Sequence, residues 1–327
     1  MNHEPPQPPP SFAEIHGRLV DNIARVIQGK AEAIDLLLLA VVAEGHVLVE
    51  DVPGVGKTTL AKALAASIDR PFGRIQFTPD LLPTDVVGVS VWNRSAARFE
   101  FRPGPVFAGV VLADEINRAS PKTQSALLEA MAERQVTVDG TTHGLAAPFL
   151  VIATQNPIEH EGTYPPPESQ LDRFLLRLSM GYPDRTAEIR ILEDHRDGEL
   201  VDSLRPVVSV AEVNGLIKAT RTVHVATALR GYLVDLADAS RRHPHLAIGM
   251  SPRATLALQR VAQARAATRG RTYVEPDDIK ALAAPVLAHR LLPSAEAQVA
   301  RISTAEVVAD LIDRVAQPDP RPSVVGA

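Results

Sequence analysis

A short glycine-rich segment offers the clearest chemistry in this sequence. Residues 51–58 read Asp-Val-Pro-Gly-Val-Gly-Lys-Thr, after the apolar run His46 to Glu50 and before a helical pattern from Lys57 to Ile68. Between a strand and a helix, such a loop wraps phosphate groups with its backbone N–H groups at the positive end of the helix dipole. We therefore expect Lys57 to bind the β- and γ-phosphates of a nucleotide and Thr58 to hold Mg²⁺.

The first residue of this loop departs from the usual P-loop pattern, which has glycine where this chain has Asp51. A carboxylate facing phosphate would repel it, so we expect the Asp51 side chain to point away, while Gly54 and Gly56 let the backbone approach the ligand. The expected nucleotide-binding set is Asp51, Val52, Pro53, Gly54, Val55, Gly56, Lys57, Thr58 and Thr59.

Two further strand patterns end in polar residues that suit nucleotide hydrolysis. The run Val110 to Ala113 leads into Asp114 and Glu115. We expect Asp114 to hold Mg²⁺ through water and Glu115 to orient and polarise the attacking water. The run Phe149 to Thr154 leads to Asn156, whose amide we expect to sense the γ-phosphate.

Two arginines complete the candidate catalytic set. Arg173 follows the third strand and its loop, where an arginine finger that reaches the γ-phosphate of a neighbouring subunit is expected; such fingers contribute roughly 10³–10⁵ in rate. Arg253 follows Ser251 and Pro252, which mark the start of a helix. We expect Arg253 to reach the nucleotide from the second half of the chain.

The elements that position these residues fall into two parts. Short strands alternate with helices in the first half, which predicts an α/β core with a parallel sheet and helices on both faces. Two polar segments, Val89 to Phe101 and Val136 to Ala147, interrupt this order as β-hairpins, and the second half has helical spacing almost throughout. We predict proline-rich disordered tails at 1–16 and 316–327, a nucleotide-binding core at 17–184 and a small all-helical domain at 185–315.

Composition excludes several other classes of protein. The chain has 327 residues and a net charge of −5, which argues against nucleic acid as a partner. The absence of cysteine excludes disulfides, thiol nucleophiles and cysteine-based metal sites. The longest apolar run, Leu36 to Ala43, is too short to cross a membrane, and the start of the chain lacks a signal-peptide pattern. We expect a cytoplasmic protein.

The motifs together resemble those of the AAA+ ATPases, and specifically of the MoxR family. The resemblance extends from about Gly17 to about Ile312. Beside the P-loop, the stretches that carry it are Ile75 to Pro83, Phe101 to Pro105, Asp114 to Ala119, Ala153 to Pro157, Glu161 to Pro165, Leu171 to Phe174 and Ser251 to Ala254.

This resemblance implies properties that the sequence pattern itself does not show. It implies an AAA+ core with two inserted hairpins, followed by a helical lid, with Ile27, Gln28 and Gly29 near the adenine base. It implies a hexameric ring with ATP and Mg²⁺ at the subunit boundaries. It also implies chaperone-like remodelling or maturation of partner proteins, with clients that carry a von Willebrand A-type domain.

Three alternative functions remain compatible with the sequence. The same ATPase could be the motor subunit of a chelatase-like complex. It could be a nucleotide-switched scaffold with little turnover, an alternative that Asp51 keeps open. It could be a DNA-dependent motor, which the acidic charge balance disfavours.

Overall fold

The computed structural model describes residues 11–156, 163–164, 167–194 and 200–318. The strands are β1 (Val47–Glu50), β2 (Phe72–Gln76), β3 (Gly88–Asn93), β4 (Arg98–Pro103), β5 (Val110–Asp114), β6 (Gln135–Val138), β7 (Thr141–Gly144), β8 (Leu150–Gln155), β9 (Leu176–Leu178), β10 (Leu246–Ile248) and β11 (Leu292–Pro293). The helices are α1 (Phe12–Ala24), α2 (Ala31–Val42), α3 (Lys57–Ser67), α4 (Pro83–Val87), α5 (Pro121–Glu133), α6 (Glu168–Leu171), α7 (Arg185–Asp194), α8 (Val210–Thr222), α9 (Thr227–Arg241), α10 (Pro252–Thr268), α11 (Pro276–Leu287), α12 (Ala295–Val299) and α13 (Thr304–Arg314).

A five-stranded parallel sheet forms the centre of the core, in the order β2-β5-β8-β1-β9. Its inner strands are runs of buried Val, Leu, Ile and Ala, as expected where helices cover both faces. Along β5, Leu112 packs in the apolar cluster of α1, α2 and α3, whereas Val111 and Ala113 pack with α5 on the other face. The expectation of a parallel sheet between two helical layers is therefore confirmed.

Both predicted hairpins are present. The first, β3 and β4, follows the short helix α4 and precedes a 3₁₀ turn at Pro105–Phe107. The second, β6 and β7, turns at Asp139 and Gly140, both with positive φ, as a two-residue hairpin turn requires. The rings of Phe101 and His143 stack with their centroids 4.1 Å apart, so the two hairpins contact each other.

The helices α8 to α13 form the lid and pack against α1, α2 and β9 of the core. Serine caps fix where several of these helices begin, since Ser209, Ser251 and Ser303 accept hydrogen bonds from backbone N–H groups in the first turn. The lid is helical, as predicted, with one addition. Strands β10 and β11 form a small antiparallel ribbon that the helical spacing of this region did not indicate.

The boundary of the N-terminal tail needs a correction. Helix α1 begins at Phe12, inside the segment 1–16 that was assigned to the tail. Ser11 and Glu14 form a capping box, in which the Ser11 N–H donates to the Glu14 carboxylate and the Glu14 N–H donates to the Ser11 hydroxyl. The remaining residues assigned to this tail, 1–10, and residues 319–327 of the other tail lie outside the described residues.

Candidate functional site

The glycine-rich loop connects β1 to α3 at the carboxyl edge of the sheet. Gly54 and Gly56 have φ of +85° and +93°, a backbone region that other residues rarely adopt. Helix α3 begins at Lys57 without a side-chain cap from any described residue, so its first N–H groups face the loop. The Lys57 ammonium donates to the backbone oxygens of Asp51, at 2.9 Å, and Val52, at 3.3 Å. This loop can bind an anion with backbone N–H groups and with Lys57.

Asp51 points away from the interior of the loop, as expected. It is 6% exposed, and its carboxylate accepts hydrogen bonds from the Ser179 hydroxyl and from the N–H groups of Met180 and Gly181. These donors belong to the segment that leaves β9 toward α7. Asp51 therefore joins the first residue of the phosphate loop to the chain that leads into the second half of the molecule.

A cavity of about 350 Å³ lies beside this loop. Ile27 and Gln28 line it together with the loop, but Gly29 is not among its lining residues; Gly29 instead turns the chain, with φ of +70°. Among the described residues, the lining consists of Val26, Ile27, Gln28, Lys30, Gly54, Val55, Gly56, Thr59, Met180, Pro183, Ile191, Leu200 and Val201. Because the lining is largely apolar and adjoins the phosphate loop, it suits the base and sugar of a nucleotide.

Asp114 and Glu115 lie at the carboxyl end of β5, where hydrogen bonds fix both side chains. Asp114 accepts from the Thr154 hydroxyl and from the Arg74 guanidinium, each at 2.7 Å. Glu115 accepts from the Gln76 amide at 2.7 Å and from Arg118 at 3.1 Å. Glu115 also has φ of +56°, a strained backbone conformation for this residue type. Both acidic groups are thus held in one orientation before any ligand binds.

The residues around Asp114 fit a magnesium ion. Mg²⁺ is usually held by one or two carboxylates together with substrate phosphates, rather than by an all-protein cage. Across the described ranges there is no cluster of three or more His, Cys, Asp or Glu that could hold a metal, whereas Asp114 presents one oriented carboxylate. Thr58 lies in the first turn of α3, which packs against β5. Thr58 and Asp114 are therefore the residues that would hold the ion.

Asn156 directly follows β8, which lies between β5 and β1 in the sheet. This order places Asn156 between the strand that ends at Asp114 and the strand that leads into the phosphate loop. Pro157, the next residue of its motif, lies outside the described residues. The position of Asn156 is compatible with an amide that contacts the γ-phosphate.

Arg173 lies in the turn after α6, and residues of the lid form hydrogen bonds with the segment around it. The buried guanidinium of Arg290, at the end of α11, donates to the Asp172 carboxylate at 2.8 Å and to the backbone oxygens of Phe174 and Leu175. The neighbouring His289 donates a further hydrogen bond to the Phe174 oxygen. The lid therefore fixes the segment that carries Arg173.

Burial lowers the pKa of both Arg290 and His289, the two residues that hold this segment and that we call the clamp. It lowers the pKa of Arg290 to about 10, against the opposing effect of Asp172, so the guanidinium remains charged at neutral pH. Burial, followed by the Arg290 charge, lowers the pKa of His289 to about 3. The imidazole is therefore neutral and is fixed as a hydrogen-bond donor.

Arg253 lies close enough to Arg290 for its charge to act on that guanidinium. It is exposed in the first turn of α10, and its charge contributes to the lowered pKa of Arg290, after burial as the main cause. Neither Arg173 nor Arg253 is among the described residues that line the nucleotide cavity of the same chain. The expectation that Arg253 reaches the nucleotide from the lid therefore requires the cavity of another subunit or a movement of the lid.

Several residues of this site were not assigned a role from the sequence. Arg74 and Gln76 are on β2. Arg74 contacts Asp114, 40 residues further along the chain, and Gln76 contacts Glu115, 39 residues further along. The alternation of strands and helices did not indicate which strands are neighbours in the sheet. Thr154, which orients Asp114, and Arg290 also lie far along the chain from their partners.

Comparison with known proteins gives the family. Residues 46–176 match a family model described as "ATPase family associated with various cellular activities (AAA)", and residues 238–311 match the AAA lid domain. The chain is 40% identical over 317 residues to the protein named Chaperone MoxR1 of Mycobacterium tuberculosis, which covers 94% of this chain and 84% of that protein. The chain belongs to the MoxR family of AAA+ ATPases.

Two further relatives support this membership. The chain is 49% identical over 308 residues to the Bacillus subtilis protein YeaC, which covers 94% of this chain and 96% of YeaC. A crystal structure of a candidate ATPase from Cytophaga hutchinsonii is 38% identical, with a TM-score of 0.89, and covers 94% of this chain and 96% of that chain. As a MoxR-family member, the chain has the nucleotide-binding core and the lid of an AAA+ protein.

No helix within the described ranges is both long and apolar enough to span a membrane.

Proposed function

We propose that this MoxR-family protein hydrolyses ATP to ADP and phosphate, at a site that a second copy of the chain completes. One observation carries the proposal. The phosphate loop, Asp114 and Glu115 meet at the carboxyl edge of one sheet, whereas Arg173 precedes β9 and so lies toward the opposite edge, and Arg253 is not among the described residues that line the cavity. Phosphoryl transfer needs positive charge around the γ-phosphate. Because neither arginine lines the cavity of its own chain, a neighbouring copy would supply them.

Each residue then has a defined task in the reaction. The backbone N–H groups of residues 54–58 and the Lys57 ammonium bind the β- and γ-phosphates. Glu115 orients a water molecule for attack on the γ-phosphorus and accepts its proton, while the bond to the oxygen that bridges the β- and γ-phosphates breaks. Asn156 hydrogen-bonds the γ-phosphate. Mg²⁺, when bound by Thr58 and Asp114, neutralises charge on the phosphate oxygens.

We further propose that the chain forms a hexameric ring that uses ATP to remodel partner proteins. The relative from Mycobacterium tuberculosis is named a chaperone, which supports this output. The hydrogen bonds of Arg290 to the Asp172–Leu175 segment give a physical link between lid position and the arginine of the shared site. We propose clients with a von Willebrand A-type domain, on the basis of the family resemblance alone.

The test is the steady-state ATPase rate of the full chain at increasing protein concentration. The specific rate should rise with concentration, because a shared site exists only after assembly. Glu115→Gln should retain ATP binding and reduce the rate by at least about a hundredfold, within the range of 10²–10⁴ that acid–base catalysis typically contributes. A concentration-independent specific rate in a protein that remains monomeric would contradict the shared site.

The contacts of Glu115 favour one alternative, a nucleotide-switched scaffold. Gln76 and Arg118 both donate to one oxygen of the Glu115 carboxylate, Oε2, and so set its orientation before ATP binds. If this arrangement persisted with ATP bound, the protein would assemble on ATP and turn over slowly. Gln76→Leu distinguishes the two functions. It should raise the rate by about tenfold or more if Gln76 only holds Glu115 before assembly, since one hydrogen bond to a charged group is worth about 1.5–3 kcal/mol and about 1.4 kcal/mol is tenfold in rate.

A further inference from the structure

A second cavity, of about 640 Å³, lies at the junction of the core and the lid. Its walls are formed by the end of α2 and Glu44, by Arg134 after α5, by the last turn of α8, and by the facing sides of α9 and α10. Helix α2 begins next to Lys30, which lines the nucleotide cavity, and its other end reaches this second cavity. The two cavities are thus separated by the length of α2, about 18 Å.

The lining of this cavity carries an excess of positive charge. Four arginines line it against a single acidic residue, Glu44, although the whole chain has a net charge of −5. Glu44 is fully engaged by Arg134, at 2.6 Å, and by Arg221. In contrast, neither Arg230 nor Arg260 forms an ion pair or a side-chain hydrogen bond within the described part of the chain. Two guanidinium groups are therefore available to an anion.

An unsatisfied buried hydroxyl is a second and independent sign of a ligand. Thr220 lines the cavity and is 4% exposed, and its Oγ1 has no hydrogen-bond partner among the described residues. The hydroxyl of the nearby Thr222, by comparison, donates to the backbone oxygen of Ala219. Buried polar groups without a partner are uncommon and call for an explanation. A bound ligand with acceptor oxygens would supply one here.

We propose that this cavity binds a small anion with several phosphate groups, as a site separate from the nucleotide cavity. A guanidinium group can donate two parallel hydrogen bonds to the oxygens of one phosphate group. The excess of positive charge suits a ligand with more than one negative charge. Five elements surround the cavity, and its volume is in the range of small-molecule sites. Because Arg134 belongs to the core while Arg230 and Arg260 belong to the lid, a bound anion would hold the two parts together.

Inorganic tripolyphosphate is a suitable probe, and isothermal titration of the full chain measures its binding. The Lys57→Ala variant weakens phosphate binding at the P-loop, so the binding that remains reports on the second cavity. In this background we expect one tripolyphosphate per chain. Replacing both free arginines, as Arg230→Gln with Arg260→Gln, should weaken binding by at least about tenfold, because two charge-assisted contacts are lost.

Two further variants separate a site from a general charge effect. Arg242→Gln with Arg269→Gln removes the same charge from exposed positions outside the cavity and should change the dissociation constant by less than about twofold. Thr220→Val replaces the unsatisfied hydroxyl by a methyl group of similar size. It should weaken tripolyphosphate binding without lowering the melting temperature, because the free protein loses no hydrogen bond.

Three results would overturn the proposal. The first is the absence of binding in the Lys57→Ala background, which would assign all phosphate binding to the P-loop. The second is equal weakening by the two arginine pairs, which would reduce the effect to net charge. The third is a loss of self-association, with unchanged tripolyphosphate binding, when Arg230 and Arg260 are replaced. That result would indicate that an acidic surface of a second copy, and not a small anion, occupies the cavity.

Discussion

At the scale of single residues, Asp51 shows how a departure from a motif can have a structural role. The commonest P-loop pattern places glycine at this position, yet the Asp51 carboxylate satisfies three donors in the segment Ser179–Gly181. Met180 of this segment also lines the nucleotide cavity. The side chain therefore supports the ligand site from outside the phosphate loop, without facing the phosphates.

Replacing Asp51 by glycine should therefore weaken the protein although it makes the motif more typical. We expect Asp51→Gly to lower the free energy of unfolding by at least about 1–3 kcal/mol, because the buried Met180 N–H loses its acceptor at that cost and the partly buried Gly181 N–H loses one as well. ATP affinity should fall as well, since Met180 is no longer held. Urea unfolding and ATP titration measure both effects. Asp21→Asn, at an exposed position, is the control. An Asp51→Gly protein of unchanged stability would contradict this role.

The sequence predicted the residues of the site that follow directly from local patterns. The phosphate loop, Asp114 and Glu115 each lie at the end of an apolar strand, so strand periodicity and residue type were sufficient. Arg74, Gln76 and Arg290 were not assigned because their partners are 40, 39 and 118 residues away. Such contacts depend on which strands are neighbours in the sheet and on where the lid packs, and neither follows from local periodicity.

At the scale of elements, the end of helix α11 holds the segment that carries Arg173. Arg290 and His289 contact the Asp172–Leu175 segment through the Asp172 carboxylate and backbone oxygens. Arg290, which follows α11, also donates to the Val286 oxygen in the last turn of that helix. The lid and the proposed arginine finger should therefore move together.

This clamp predicts that Asp172→Asn impairs hydrolysis without impairing nucleotide binding. The variant loses the ion pair to Arg290 but keeps the backbone contacts, so the fold should persist while Arg173 is less well positioned. We expect an ATPase rate at least about tenfold lower, which corresponds to about 1.4 kcal/mol, with ATP affinity unchanged. Asp238→Asn, which breaks an exposed ion pair with Arg241, is the control. Full activity of Asp172→Asn would separate the clamp from catalysis.

Buried histidines also join elements and make stability depend on pH. His46 accepts from the Val151 N–H and donates to the Met131 oxygen, so it connects the start of β1 to β8 and α5. Burial lowers its pKa to about 4. The unfolded chain, with a histidine pKa of about 6.5, therefore binds more protons than the folded chain. The stability that His46 contributes is complete above about pH 6.5, the unfolded pKa, and is lost as the pH falls toward 4.

The pH dependence of unfolding tests this assignment. Between pH 6 and pH 5, His46 and His289 together should reduce the free energy of unfolding by up to about 2.7 kcal/mol, at about 1.36 kcal/mol per group and pH unit. His46→Asn should be less stable at pH 7.5 but should lose less stability on acidification. His224→Asn, at an exposed position, should retain the steeper dependence. An unchanged slope in His46→Asn would show that this imidazole does not titrate on unfolding.

At the scale of the whole molecule, we propose that the site is completed by residues of a second copy. The phosphate loop lines the nucleotide cavity, and Asp114 and Glu115 lie at the same carboxyl edge of the sheet, whereas Arg173 precedes β9 and so lies toward the opposite edge. A ring of identical subunits would bring these two sides together at every boundary, because each interface in a ring joins different surfaces of neighbouring copies. The family resemblance predicts such a ring, and the ring remains a proposal for this chain.

The most direct measurement mixes two inactive variants, Glu115→Gln and Arg173→Ala, and follows the ATPase rate as their ratio changes. Each variant alone should be nearly inactive. In a mixed ring, the intact Glu115 of one copy can meet the intact Arg173 of its neighbour, so activity should recover partly, with a maximum near equal amounts. A mixture that remains as inactive as its components, although the two variants assemble together, would contradict a site shared between subunits.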